Sequence, residues 1–297
     1  MPLSPRDQTL LQLLDRTPAT AIQIRTASCT FPEHPFLSER RVRERMQALQ
    51  KLKLVSSFSL AVSGGGLANY YKLAPEGYRM VHGGEAELPQ RSFFAELPPS
   101  RLMHTLELAD VIVHALAAAH THRIKLTSFH RENELTLQVG EQQTVPDCHM
   151  QFVASRKTFN VLFELDRSTE ALESAALNSI RRKLLAYEAY QDYSWALWTQ
   201  AGASGPRPYF RVVFLTASVA RAYHMLALAR ECARNPNRHL CYATTLDQYL
   251  AEANALLSPL FLDHHGRWQA LVNVYSSAPF IRVPVRIPPF VQSILPL

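Results

Sequence analysis

The sequence predicts an α+β to α/β chain built in two units, a small one of three helices and a hairpin and a larger one of order αβββαβ. Three observations predict it. Before residue 54, apolar residues recur at helical spacing in three successive segments, and two β-like runs then flank the tip Ser63-Gly64-Gly65-Gly66. From Ser100 a long apolar helical pattern gives way to runs of aromatic and β-branched residues. Between Thr144 and Glu170, two short strands joined by Ser155-Arg156-Lys157 are followed by a long helical pattern and another strand.

Composition narrows the class. The 297 residues are 47% hydrophobic and 19% charged, enough for a sizeable core and too apolar for a disordered chain. A formal charge of +6 with a pI of about 9.2 favours a polyanionic partner. Cys29, Cys148, Cys232 and Cys241 lack CxxC spacing, so neither a zinc site nor a disulfide framework is expected. The N-terminus is too polar for a signal peptide, and Val111–Ala119, interrupted by His114, is too short for a membrane span. A soluble, cytoplasmic protein without membrane contact is expected. There is no internal repeat, Walker motif or dinucleotide fingerprint.

In the first unit, residues 1–82, Ser4 caps a helix with Pro5 in its first turn and Leu10, Leu11 and Leu14 on one face. A second helix covers Ala19–Ala27. Ser38 caps a third, running to about Lys53, with Val42, Met46, Leu49 and Leu52 facing a core. Its other face carries Arg40, Arg41, Arg43 and Arg45, with Gln47 and Gln50 nearby. Strands Leu54–Val62 and Ala68–Leu73 follow, and Pro75-Glu76-Gly77 ends the unit. This order is that of a winged helix-turn-helix. Its third helix is the candidate for the major groove, and Lys72 lies on the return strand of the wing. Winged helices also bind proteins, and a charged helix face is also simply a solvated one.

Residues 83–99 contain Gly and Pro without periodicity and read as a linker. The second unit, 100–267, opens with a helix from Ser100 to about His120. His104, His114, His120 and His122 lack the i,i+4 spacing of a metal pair, so a packed or capping role is the expectation for His104. Strands Ile124–Phe129 and Leu135–Val139 come next, with Glu132 between them as a candidate second carboxylate near the site. The strand Val145–Ala154 has Asp147 at its start. The strand Thr158–Leu165 is apolar until Glu164-Leu165-Asp166-Arg167. Glu164 and Asp166, two apart, share a strand face, and pairing of the two strands brings Asp147 to them. Three carboxylates at one point repel one another unless a divalent cation neutralises them, and Mg²⁺ takes such an oxygen set. A helix Leu172–Trp198 carries Lys183 and the row Tyr187, Tyr190 and Tyr193, which packing explains better than nucleophilic chemistry. Strand Tyr209–Thr216, a helix from Val219 with Arg221 near its start, and an edge strand His239–Thr244 complete the unit. Residues 268–297 are proline-rich and read as an extended arm.

Pro146-Asp147 followed by Glu164-Leu165-Asp166 resembles the PD-(D/E)xK nuclease signature. In that fold the Asp and Glu hold Mg²⁺, and a Lys two residues after the Glu helps activate water. Here Asp166 occupies the lysine position, and Lys183, one helix later, can bring its ammonium to the cleft. The wider run, with Arg167-Ser168-Thr169-Glu170, Lys183-Leu184-Leu185-Ala186-Tyr187, His104 and Val213–Ser218 with Arg221, resembles the replication-relaxation family of mobile-element DNA-processing proteins. The resemblance implies a winged helix joined to a restriction-endonuclease-like domain that acts on double-stranded DNA with Mg²⁺ or Mn²⁺. It makes Asp147 and Glu164 the metal ligands and gives Arg221 a phosphate; Asp166, which departs from the pattern, is then expected as a third metal ligand or a water-orienting base, and Lys183 as the catalytic cation that stabilises charge developing on the phosphate. A replication or mobilisation protein as further partner, a homodimer, and a non-catalytic DNA-binding scaffold all stand open.

Overall fold

The computed structural model describes residues 3–61, 65–168, 172 and 179–273. Among these the chain is a mixed α/β structure whose centre is a seven-stranded mixed sheet.

The chain begins with α1 (Pro5–Arg16), capped by Ser4 in a capping box with Asp7. Next come β1 (Ala19–Thr20), α2 (Ala21–Ala27) and α3 (Glu39–Lys51), which starts on a Ser38 cap. The residues expected to begin the second helix instead form β1, which pairs with Tyr70 and Tyr71. Then β2 (Val55–Ala61) and β3 (Leu67–Leu73) make an antiparallel hairpin, so the small sheet has the order β1-β3-β2. The last residue of the expected first strand and the first two of the expected tip, residues 62–64, lie outside the described residues.

Two expectations for this unit are corrected. Leu52 is exposed, because α3 stops at Lys51 and the chain turns through Lys53 at φ +58. Pro75-Glu76-Gly77 does not end the unit but starts α4 (Pro75–His82), with proline in its first turn. Gly77 is required there, since a Cβ would sit 2.0 Å from the Leu54 carbonyl oxygen. The segment that reads as a linker holds the short α5 (Arg91–Phe94), whose Phe93 and Phe94 pack edge-on to Tyr78.

The long helix α6 (Pro99–Thr121) has Pro98, not Ser100, at its N-cap. By length and composition it can span a bilayer, contrary to expectation; most of its apolar window is buried inside the protein. A core helix covered on several sides is apolar all round for the same reason. Then come β4 (Lys125–Arg131), the small hairpin β5 (Leu137–Val139) and β6 (Gln142–Thr144), β7 (Cys148–Ala154) and β8 (Lys157–Asp166). Strands β7 and β8 are joined by Ser155 and Arg156 at φ +47 and +64, the left-handed pair of a type I′ turn.

The chain continues with α7 (Ile180–Gln200), β9 (Phe210–Thr216), α8 (Val219–Cys232), β10 (Cys241–Thr245), α9 (Leu246–Ala251), β11 (Phe261–Asp263) and β12 (Trp268–Gln269). The order across the sheet is β12-β11-β10-β9-β8-β7-β4, parallel at β8-β9 and β9-β10 and antiparallel elsewhere. The strand expected at an edge, β10, is therefore interior, flanked by β9 and β11. The arm expected from residue 268 instead begins as a strand, β12, paired with β11 at the edge of the sheet, because the prolines that argue against a regular element lie further on. Leu177, within the helix expected from Leu172, and the arm beyond residue 273 lie outside the described residues.

Alternation along β8 divides two cores. Val161, Phe163 and Leu165 face a cluster with residues of α1, α3, α6 and β7. Leu162 faces a second cluster with Leu184 and Tyr187 of α7 and Met225 of α8. The side chains of Glu164 and Asp166 project toward this second face, under α7 and α8.

Candidate active site

Strand β8 carries Glu164 into a nearly dry position, 3% exposed at the side chain. A carboxylate there needs donors, and α7 supplies two. Lys183 Nζ donates to Glu164 Oε2 at 3.0 Å, and the buried Tyr187 hydroxyl donates to Oε1. Lys183 and Tyr187 are four apart, so both occupy the same helix face. Burial raises the Glu164 pKa to about 7, with Lys183 pulling it down and the Asp147 charge pushing it up. Burial likewise lifts the Tyr187 phenol well above its ordinary value, followed by the neighbouring Glu164 charge.

Asp147 lies one residue before β7, and the pairing of Cys148 with Phe163 places it across from Glu164. Its backbone N–H donates to Phe163 O at 3.1 Å, and its Oδ2 accepts from Leu165 N at 2.7 Å. Its Oδ1 faces His104 Nε2 of α6 at 3.3 Å. That contact raises the His104 pKa against the lowering effect of burial. Asp147, His104 and Lys183 are partly exposed at 14%, 24% and 19%, so Glu164 forms the floor of the site and these three its rim.

Asp166 does not join this pair. Arg221, from the first turn of α8, holds it in a fork, with Nε to Oδ2 at 2.8 Å and Nη2 to Oδ1 at 3.1 Å. The guanidinium expected to meet a phosphate thus neutralises the carboxylate expected to meet a metal. Among the described residues no three His, Cys, Asp or Glu side chains are grouped so as to hold an ion. The donor set suits a hard cation only as two carboxylates, Asp147 and Glu164.

The other candidates fall into place around this core. Glu132 is half-buried and held by Arg101, and its charge reaches His104 rather than the two carboxylates directly. Tyr187 is fully buried against Glu164, Tyr190 packs on Phe210, and Tyr193 is exposed. In the N-terminal unit Arg40, Arg41, Arg43 and Gln47 are exposed on α3, the arginines pairing with Glu44 and Glu39. Arg45 points the other way, its Nε donating to buried Asp7 at 2.6 Å. Lys72 is buried too. Its ammonium donates to the carbonyls of Ala95 and Ser92 beneath α5, not from a wing surface.

Sequence reasoning sets His104 aside, because spacing along one helix cannot reveal a partner on a strand 43 residues away. Tyr187 enters it as one of a row of tyrosines, although its position four residues after Lys183 carries the simpler signal of a shared partner.

Among solved structures the chain is similar to restriction endonuclease FokI, at 12% identity and a TM-score of 0.26, over 84% of this chain and 44% of that one. The chain thus spans less than half of that protein's length, and a likeness this low supports no argument. No curated protein matches the chain. The replication-relaxation profile matches residues 10–203, which include α3, His104, Asp147, Glu164, Lys183 and Tyr187. With well over half of its length matched, the chain belongs to the replication-relaxation family.

Proposed function

We propose that this protein acts on the DNA of a plasmid or other mobile element in replication, relaxation or mobilisation, binding a duplex and nicking one strand. Family membership supports the setting. The observation that carries the chemistry is the Lys183–Glu164 contact at 3.0 Å, with Asp147 on the adjoining strand. It supplies the cation that Asp166 fails to supply at the usual lysine position. In this reading the first unit is a winged helix, and Arg40, Arg41 and Arg43 of α3 reach phosphates and guanine edges, with Gln47 beside them.

Asp147 and Glu164 would hold Mg²⁺ or Mn²⁺, which when bound supplies Lewis-acid stabilisation of the phosphoryl oxygens. Lys183 balances the charge that develops on the phosphate as the bond breaks. Tyr187 orients Glu164, and His104 orients Asp147. Asp166 keeps Arg221 and the start of α8 against β8. The test is nicking of a supercoiled plasmid with Mn²⁺ by wild type, Asp147→Ala and Glu164→Ala. Both variants are expected to lose activity by about 10²-fold or more, and equal nicking by all three sinks the assignment.

A second reading is favoured by a specific observation. Both oxygens of Asp147, Glu164 and Asp166 already face protein donors. In this reading the domain is a DNA-bound platform without chemistry, serving as an accessory or regulator. Calorimetry separates the two, since Mn²⁺ binding that disappears in Asp147→Ala belongs only to the enzyme.

A further inference from the structure

A cleft of about 1100 Å³ opens at the end of the sheet opposite the carboxylates. It wraps the start of β8, the start of β9, the C-terminal half of α7 and the loop between α8 and β10. From Asn160 in its wall to Glu164 is four strand residues, about 13 Å along β8. The cleft is therefore a separate place on the molecule. It exceeds the usual volume of a pocket for one small ligand.

Its lining has a consistent chemistry. Arg156, Lys157 and Arg207 are exposed and make no ion pair among the described residues, and no Asp or Glu lines the cleft. The other cations there are already engaged. Arg238 is held by Glu188 and Asp192, and His239 by Asp263. Arg211 stacks near Phe159 and Tyr242 while donating to the Leu271 carbonyl. Between the free cations lies a ring platform. Trp195 of α7 stacks on Tyr209, centroids 5.2 Å apart and planes 19° apart, and Tyr209 is about half exposed. Asn160, Asn235 and Asn237 add amide donors and acceptors.

We infer that this cleft binds a single strand of nucleic acid, with its backbone on Arg156, Lys157 and Arg207 and a base stacked on Tyr209. Unpaired cations alone fit any polyanion. An exposed ring face beside them selects one whose bases are open to stack, which a duplex does not offer. Arg156 strengthens the case: it holds a left-handed backbone at φ +64, where glycine is the easier residue, yet an arginine stands there facing the cleft. This inference does not rest on the cleavage reading, because its test requires no catalysis.

The test is fluorescence anisotropy of a labelled oligodeoxythymidylate of about 15 nucleotides with the full chain at low salt. Wild type is expected to bind. The variant R156G/K157A/R207A, in which glycine suits the backbone at 156, is expected to weaken binding and to flatten the salt slope by about two, near 0.7 for each phosphate no longer neutralised. Tyr209→Ala is expected to weaken binding about tenfold. Thermal unfolding checks that each variant is folded. Absence of wild-type binding, or wild-type affinity in either cleft variant, overturns the inference. So does displacement of the oligonucleotide by an equal concentration of an oligoglutamate peptide, which would make the cleft a site for acidic protein segments.

Discussion

Asp7 shows how a single side chain can serve two elements. It completes the capping box of α1 and receives Arg45 from α3, fully buried. Burial pushes its carboxyl pKa up, but the hydrogen bonds from Arg45 and Ser4 outweigh that and hold it below the ordinary value. Asp7→Ala removes both the cap and the partner of a partly buried guanidinium, so a loss of about 3 kcal/mol is expected in urea unfolding. Arg45→Ala is expected to destabilise without changing the salt dependence of duplex binding, which separates it from its exposed neighbours. Lys72 gives a pH signature. Burial, with Arg131 nearby, lowers its pKa from 10.5 to about 8. Between pH 8 and 10.5 the unfolded lysine holds a proton that the folded one has released, so stability rises with pH in that window. Relative to Lys72→Met, wild type is expected to gain on the order of 3 kcal/mol across it. A pH-independent difference would rule out a buried, desolvated ammonium. Neither role is legible in the sequence: Arg45 reads as one of four similar arginines and Lys72 as a wing residue, because which way a charge points depends on distant partners.

At the scale of elements, what local chemistry fixes is readable and what neighbours fix is not. Ser4, Ser38 and Ser218 each accept from the backbone N–H three residues on, and the helices they start lie where their side chains predict. The adjoining strands carrying Asp147 and Glu164 are equally legible, since an apolar run stopping at charges is a property of the strand itself. The interior place of β10 is not, because it depends on β11 and β12, three and two residues long and without any pattern of their own. Asp166 and Arg221 belong to this class as well, since the crossover from β8 to α8 decides their meeting. For α3 the reading leads to a measurement. Arg40, Arg41 and Arg43 make only exposed pairs within their own helix, which solvent screens and which add little to stability. R40A/R41A/R43A is expected to leave the unfolding midpoint nearly unchanged while flattening the salt slope of duplex binding by about 0.9 for each phosphate no longer neutralised. An unaltered slope would leave α3 a solvated face or a protein-binding one.

Across the whole molecule the two units that read as separate in sequence share a core. One hydrophobic cluster runs from Leu10, Ile24 and Met46 to Val111, Phe152 and Phe163. Polar contacts cross the same boundary: Gln23 Nε2 donates to Leu106 O and to Asp110 Oδ1, each at 2.8 Å, and Arg131 donates to Asp15 O at 3.1 Å. A helix face that is apolar because a neighbour covers it looks the same in sequence as one covered by its own domain, so this junction carries no local signature. Its energetic consequence is direct. Separating the units would expose the apolar residues of this shared cluster that meet across the boundary, at about 25 cal/mol per Å² of apolar surface. One cooperative unfolding transition is therefore expected. In urea, fluorescence from Trp195 and Trp198 of α7 and Trp268 of β12, all outside the first unit, is expected to change together with the loss of amide protection in α1 and α3, and Gln23→Ala should move both to lower urea by the same amount. If α1 and α3 instead lose protection at a lower urea concentration than the tryptophans report, the units are independent, and the first is tethered to the sheet rather than built onto it.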